Sequence, residues 1–258
     1  RGFDARTGKL LWTFHTIPEP DEAGYETWFN NSADYTGNAS VWAPMSADEE
    51  LGLVYLPVES ATGDQYGGDR HGANLFANSL VALDVKTGER RWYFQLIHHD
   101  IWDWDTPTAP ILADLPDGRR LVVQVTKQAF AYVFDRETGE PVWPIVERPV
   151  PQTDVPGEWT SPTQPIPTHP APFDRQGVTL DDLIDYTPEI RAEISMLVDS
   201  ARIGPLYTPP SIDNAADGKN GNNGTLSLPF STGGANWEGS AFDPGTGLLF
   251  VPSQTVVG

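Results

Sequence analysis

The chain has 258 residues, 24 Gly, 24 Pro and 39% apolar residues, which is rich in turns yet apolar enough to build a core. Sixteen Lys and Arg against 36 Asp and Glu give a net charge of −20, which argues against nucleic acid and against anionic lipid as partners. The absence of cysteine excludes disulfides, thiolate zinc sites and a cysteine nucleophile, and no run of ~18 apolar residues offers a membrane span.

In chain order, the first predicted element is a tight turn in FDARTGKLLW, Phe3–Trp12. The same pattern, apolar-D-x-x-T-G-x-x-x-W, returns in LDVKTGERRW (Leu83–Trp92) and FDRETGEPVW (Phe134–Trp143). A weaker copy, FDPGTGLLFV, has Val251 in the Trp place. Asp caps turn amides and Gly accepts positive φ, so each copy predicts a hairpin turn between strands. A Trp at a fixed offset implies a repeated packing slot, so Trp12, Trp92 and Trp143 are expected to be buried between neighbouring sheets.

A second pattern alternates with the first. VWAPMSADEELGLVYLP (residues 41–57) aligns without gaps on NWEGSAFDPGTGLLFVP (236–252), and residues 108–126 keep its Asp-to-Gly spacing at Asp114 and Gly118. Residues 42–94 and 106–145 are thereby each predicted to hold four antiparallel strands. Residues 1–14 would end an earlier unit and 235–258 would start a later one. Four strands every ~40–50 residues mark the blade of a β-propeller. So few blades cannot close a ring, so the chain is expected to be one partial propeller domain, a fragment inactive by itself.

Between units, 147–172 is expected to be loop because of its prolines. Thr187–Ala201 is expected to be a helix capped by Thr187, with Pro188 at its first position and Ile190, Ile194, Leu197 and Ala201 on the buried face. Asp213–Gly224 is a Gly/Asn-rich loop. These segments make up the loop and helix insert, 146–234.

The chemistry concentrates in HHDIWDWD, His98–Asp105, between one blade's last strand and the next blade's first. In an up-and-down blade, the D-x-x-T-G turns lie on one face. This connection, the turn carrying Lys127 (read as two residues long), and the starts of the strands after Trp42 and Trp237 all lie on the other. Five scattered histidines make no metal cluster, and His98 and His99 lack ligand spacing. They are read as structural, and Asp103 and Asp105 as turn-capping.

VALDVKTGERRW resembles the tryptophan-docking repeat of the pyrroloquinoline-quinone (PQQ)-dependent dehydrogenases. FQLIHHDIWDWD, VTKQAFAYVFDRETGEPVWP and GGANWEGSAFDPGTGLLFVPS look like their membrane-associated glucose and quinate dehydrogenase branch. The resemblance implies an all-β fold, part of an eight-bladed propeller. It implies Asp100 as the base that takes the alcohol proton and Lys127 as a contact of the quinone. Trp42 would stack on the quinone ring, with Asn236 and Trp237 nearby. It implies calcium or magnesium, partly held by a residue preceding this chain. Around VESATGD this chain offers Ser60 and Thr62, of which Thr62 is the candidate ligand. The implied reaction is oxidation of a sugar or polyol to its carbonyl or lactone, with a membrane quinone as acceptor. The implied place is the periplasmic side of the bacterial inner membrane, and the oligomeric state stays open. The alternative is a non-catalytic propeller serving as an assembly scaffold. A scaffold has no need of Asp100, Lys127, Asn236 and Trp237 at one channel mouth.

Overall fold

Four copies of one turn organise the chain. Asp4, Asp84, Asp135 and Asp243 each accept a backbone N–H from two residues on, at 2.9–3.1 Å. Each also receives, on its own carbonyl, the N–H of Gly8, Gly88, Gly139 or Gly247 at 2.8–2.9 Å. Those glycines sit at φ +69 to +77°, where a Cβ is strained. The computed structural model describes residues 1–212 and 224–258. The Gly/Asn-rich loop expected at 213–224 therefore falls almost wholly outside the described residues.

The turns join antiparallel strands. β1 (Gly2–Phe3) pairs with β2 (Leu10–Trp12). β3 (Ser46–Asp48), β4 (Leu53–Val58), β5 (Ser79–Asp84) and β6 (Arg90–Gln95) form a four-stranded sheet in sequence order, as expected for residues 42–94. β7 (Ile111–Asp114), β8 (Arg120–Val125) and β9 (Ala131–Asp135) form the next sheet. Its expected fourth strand is reduced to a bridge from Phe134 to Pro141 and one bond, Val142 N–H to the Val133 carbonyl at 2.9 Å. Pro141 and Pro144 have no N–H to extend that ladder.

The expected loop at 147–172 is corrected by a ribbon of β10 (Ile145–Pro149) and β11 (Thr163–Pro167). Pro165 and Pro167 occupy alternate positions, so Gln164 and Ile166 carry the ladder while the prolines face the open edge. β12 (Ala241–Asp243) and β13 (Leu248–Phe250) close the chain as a hairpin.

The sheets stack face to face. Leu53, Tyr55, Leu80, Ala82 and Trp92 from one meet Val122, Tyr132 and Phe134 from the next. On the other side of the second sheet, Val123, Val125 and Val133 meet Phe242, Leu249 and Val251. The first strands of the three sheets, β3, β7 and β12, lie against one another. Sheets fanning from shared inner strands are the radial arrangement of a propeller.

Tryptophans link the stack. The Trp12 indole donates to the Val85 carbonyl at 3.0 Å and the Trp92 indole to the Arg136 carbonyl at 3.2 Å, each inside the next sheet's D-x-x-T-G turn. A Cβ on Gly88 would lie 2.5 Å from Trp12, and one on Gly139 would lie 2.6 Å from Trp92. Trp92 is buried and Trp12 partly so. Trp143 departs from expectation at 39% exposure: among the described residues no such turn lies beneath it, and its ring stands beside His169.

The helix α1 (Pro188–Val198) starts where expected, with the Thr187 hydroxyl accepting the Ile190 N–H. Its buried face differs from the Ile190/Ile194/Leu197 expectation. Ile190 and Leu197 are exposed, whereas Arg191, Ile194, Ser195 and Val198 turn inward. The Arg191 guanidinium donates to the Leu180 and Leu183 carbonyls, which rotates that side toward the protein.

Candidate active site

The connection from β6 to β7 is irregular and almost wholly buried. His99 and Asp103 adopt φ +51° and +56°, a conformation uncommon outside glycine, though Asp and His accept it more readily than most side chains. Neighbouring Asn74, Asn78 and Ala129 do the same. Such clusters of left-handed residues persist where the surroundings over-determine them, which is common at functional sites.

Asp100 is 1% exposed. Its Oδ2 accepts the Ser60 hydroxyl, the Trp104 N–H at 2.9 Å and the Asn78 amide at 3.3 Å. Its Oδ1 accepts one bond, from the Trp102 N–H at 3.0 Å. Burial pushes the Asp100 carboxyl up, opposed by the Ser60 and Trp102 bonds and by the Arg70 charge. Trp102 and Trp104 stack at 5.4 Å and 16°, with Tyr207 edge-on to both, so an aromatic wall stands behind the carboxylate.

Lys127 lies on the connection between β8 and β9, which is longer than the expected two residues. Thr126 and Phe130 pair across it, and Ala129 takes φ +70°. The Lys127 ammonium donates to the Asp103 carbonyl at 2.7 Å, to Asp105 Oδ2 at 3.1 Å and to Asp103 Oδ1 at 3.3 Å. Asp103 and Asp105 therefore hold this lysine, a role the turn-capping reading missed. Lys127 meets Asp100 only indirectly: Asp105 Oδ1 accepts the Ser60 N–H at 2.9 Å, and Ser60 in turn bonds Asp100. Buried charge, rather than an adjacent lysine, therefore governs Asp100.

The other expected residues lie in segments whose backbones touch this centre. Gly234 N–H donates to the Lys127 carbonyl at 2.8 Å, and a Cβ on Gly233 would fall 2.5 Å from Lys127 Cγ. Two glycines thus let Asn236 and Trp237 follow directly from the lysine turn. Asn236 accepts the Trp237 N–H on Oδ1 and donates to the Thr232 carbonyl. Trp42 follows a segment that runs beside Ser60, with Ala39 N–H on the Ser60 carbonyl at 2.9 Å. Trp42 is 45% and Trp237 66% exposed, whereas Trp28, Trp92, Trp102 and Trp104 are buried. An exposed indole face is a surface on which a flat aromatic ligand can stack, whereas the Lys127 ammonium is buried against Asp103 and Asp105.

A divalent metal fits less well. Thr62 is exposed, its carbonyl taken by Arg70 Nε at 3.0 Å and its N–H given to Gly37. The Ser60 hydroxyl is spent on Asp100, and among the described residues no three His, Asp or Glu side chains gather as ligands. The donors present do not make a calcium or magnesium site. His98 bonds Gln95, Glu147 and Gln164, and His99 bonds Gly72, Asn74 and Glu158, so both brace the loop.

Residues 1–258 match the family described as PQQ: Glucose/ethanol/alcohol dehydrogenase, beta-propeller domain. Among curated relatives, the chain is 35% identical to a quinate/shikimate dehydrogenase (quinone) of Acinetobacter baylyi, over 97% of the chain and 30% of the relative. It is 36% identical to quinoprotein glucose dehydrogenase A of Acinetobacter calcoaceticus, over 95% and 30%. A glycerol dehydrogenase large subunit of Gluconobacter oxydans is 34% identical, over 96% and 33%. Among solved structures, a quinohemoprotein alcohol dehydrogenase from Pseudomonas putida HK5 superposes with a TM-score of 0.64 at 27% identity, covering 99% of this chain and 33% of that one. The chain spans about a third of the length of these relatives.

Proposed function

The chain belongs to the PQQ-dependent glucose/ethanol/alcohol dehydrogenase β-propeller family, and from that premise we propose that it carries the catalytic base of a quinoprotein that oxidises a sugar or polyol. The observation that supports this most is the Asp100 carboxylate: buried, held by four donors and linked through Ser60 and Asp105 to Lys127. A purely architectural propeller gives no reason to desolvate a charge in this way.

Asp100 Oδ2 carries three bonds and Oδ1 one, so Oδ1 keeps a lone pair for the proton of the substrate hydroxyl. Desolvation makes that carboxylate a stronger base than a surface aspartate. The bonds from Ser60, Asn78 and Trp104 fix its direction, so little reorganisation accompanies proton removal. Trp42 and Trp237 offer faces for the quinone ring and Lys127 a positive charge near its oxygens, while Asn236 orients Trp237. The quinone, when bound, supplies the acceptor for the hydride equivalent. Onward transfer to a membrane quinone on the periplasmic side completes the reading.

The test uses the full-length protein reconstituted with the quinone. Asp100→Asn is expected to keep quinone binding, followed by absorbance titration, and to lose turnover by ~10²–10⁴-fold. Lys127→Ala is expected to weaken both. Near wild-type sugar oxidation by Asp100→Asn would remove the assignment.

A further inference from the structure

Arg70 sits where a charge is hard to justify for stability. It is 2% exposed, and its hydrogen bonds end on neutral oxygens. Nε donates to the Thr62 carbonyl at 3.0 Å, Nη1 to Asn74 Oδ1 at 2.8 Å, and Nη2 to the Gly63 carbonyl at 2.8 Å and to the Asp100 carbonyl. Only the charges of Asp100, Glu158 and Asp64, none of these carboxylates hydrogen-bonded to the guanidinium, offset the cost of burying it, and a buried charge is weak evidence of a stabilising role. Its presence calls for a second reason.

The partners supply one. Thr62 and Gly63 follow Ser60, whose hydroxyl meets Asp100 Oδ2. Asn74 Oδ1 also meets His99 Nδ1 at 3.1 Å, and the Asn74 amide returns a bond to the Arg70 carbonyl at 2.8 Å. One guanidinium thus fastens the residue before Asp100, Asp100 itself and the segment presenting Ser60.

We infer that Arg70 is the positioning residue of the site: it holds the Asp100 backbone and the Ser60 segment in one frame and so aims Asp100 Oδ1 at the substrate. This rests on the reading of Asp100 as the base. The frame needs the planar fork, because three separate nitrogens reach four oxygens. A lysine ammonium brings the charge without that spread. The guanidinium also lies close enough to Asp100 for each charge to stabilise the other against burial.

The experiment uses the full-length, quinone-loaded enzyme. Arg70→Lys is expected to lower kcat by ~10²-fold, as small misplacements of reacting groups do. KM should stay within about threefold and quinone binding by absorbance titration should be unchanged, the split expected when only transition-state alignment is lost. Added guanidinium ion is expected to restore part of the kcat of Arg70→Ala. Should Arg70→Ala not fold, Asn74→Gly tests the same frame. Glycine accepts φ +57° and removes the shared Oδ1, and a loss of about tenfold in kcat is expected. Wild-type kcat in Arg70→Lys or in Asn74→Gly overturns the inference. So does a joint fall of melting temperature, quinone affinity and kcat without guanidinium rescue, which marks a scaffold residue. Asp100→Asn run in parallel separates the two claims. If it keeps turnover, the base assignment fails. If it loses turnover and Arg70→Lys does not, only the positioning role fails.

Discussion

At the residue scale, the loop that carries Asp100 has a second acid whose state depends on pH. Burial pushes the Asp103 carboxyl up to about 6, with Lys127 pulling against it and Asp105 and Asp100 adding to it. An unfolded Asp titrates near ~3.9, so between roughly pH 4 and 6 the native state binds more protons than the unfolded one, and stability falls as pH rises through that window. Asp103→Asn, whose amide suits φ +56°, is expected to flatten the slope: it should melt higher than wild type at pH 7 and equal to it near pH 4. Thermal unfolding across pH checks this, and an unchanged slope contradicts it. The repeats place the segments of Asp100 and Lys127 on one face, and the resemblance to the quinone-dependent dehydrogenases singles out the two residues within them. Neither marks their supports. Ser60, Arg70 and Asn78 reach Asp100 from 40, 30 and 22 residues away, and such contacts have no periodicity to betray them. Asn78 at φ +48° leaves only the hint that Asn favours left-handed turns.

At the element scale, the Trp–Gly contact joins one sheet to the next and can be measured by difference. Trp92→Ala is expected to lower stability by ~3–5 kcal/mol, the usual loss for a buried Trp. Gly139→Ala and Gly247→Ala both place a Cβ at positive φ, but only the first also meets an indole, since nothing lies within 4 Å of Gly247. Gly247→Ala should cost ~1 kcal/mol of backbone strain and Gly139→Ala clearly more. Equal melting temperatures for the two would show the indole is not seated on that glycine. Hairpins with an Asp and a Gly four residues apart were legible, because the turn chemistry is local. The β10–β11 ribbon was not, because proline counting ignores alternation: prolines two apart share one edge and spare the other. The helix face was misjudged because hydropathy places Arg191 outside, whereas two carbonyls draw it in.

At the scale of the whole molecule, the alternating hairpins foretold the stacked sheets, and the shared inner strands complete the radial pattern. The fourth strand of the second sheet is thinned by proline, and the insert after it fills the space beside Trp102 with Tyr207. The charge of −20 is borne mostly by exposed side chains, so the folded state repels itself. Raising NaCl from ~0.01 to ~0.15 M shortens the screening length from about 30 to about 8 Å. The melting temperature is expected to rise over that range, and a flat response would mean the charges are already paired.

The tryptophan contacts run one way along the chain, each indole reaching forward into residues that come later. That gives the protein a timetable as well as a shape. While it is being made, the sheet ending in β6 has its Trp92 indole uncovered until Arg136 emerges, 44 residues on. At ~5–20 residues per second of synthesis this is a wait of roughly 2–9 s. The half-finished face is apolar during that interval, so the nascent chain depends on its successor for cover. Slow codons or a stall between Trp92 and Gly139 would lengthen the exposure, whereas the same delay after Gly139 would find the face already sealed.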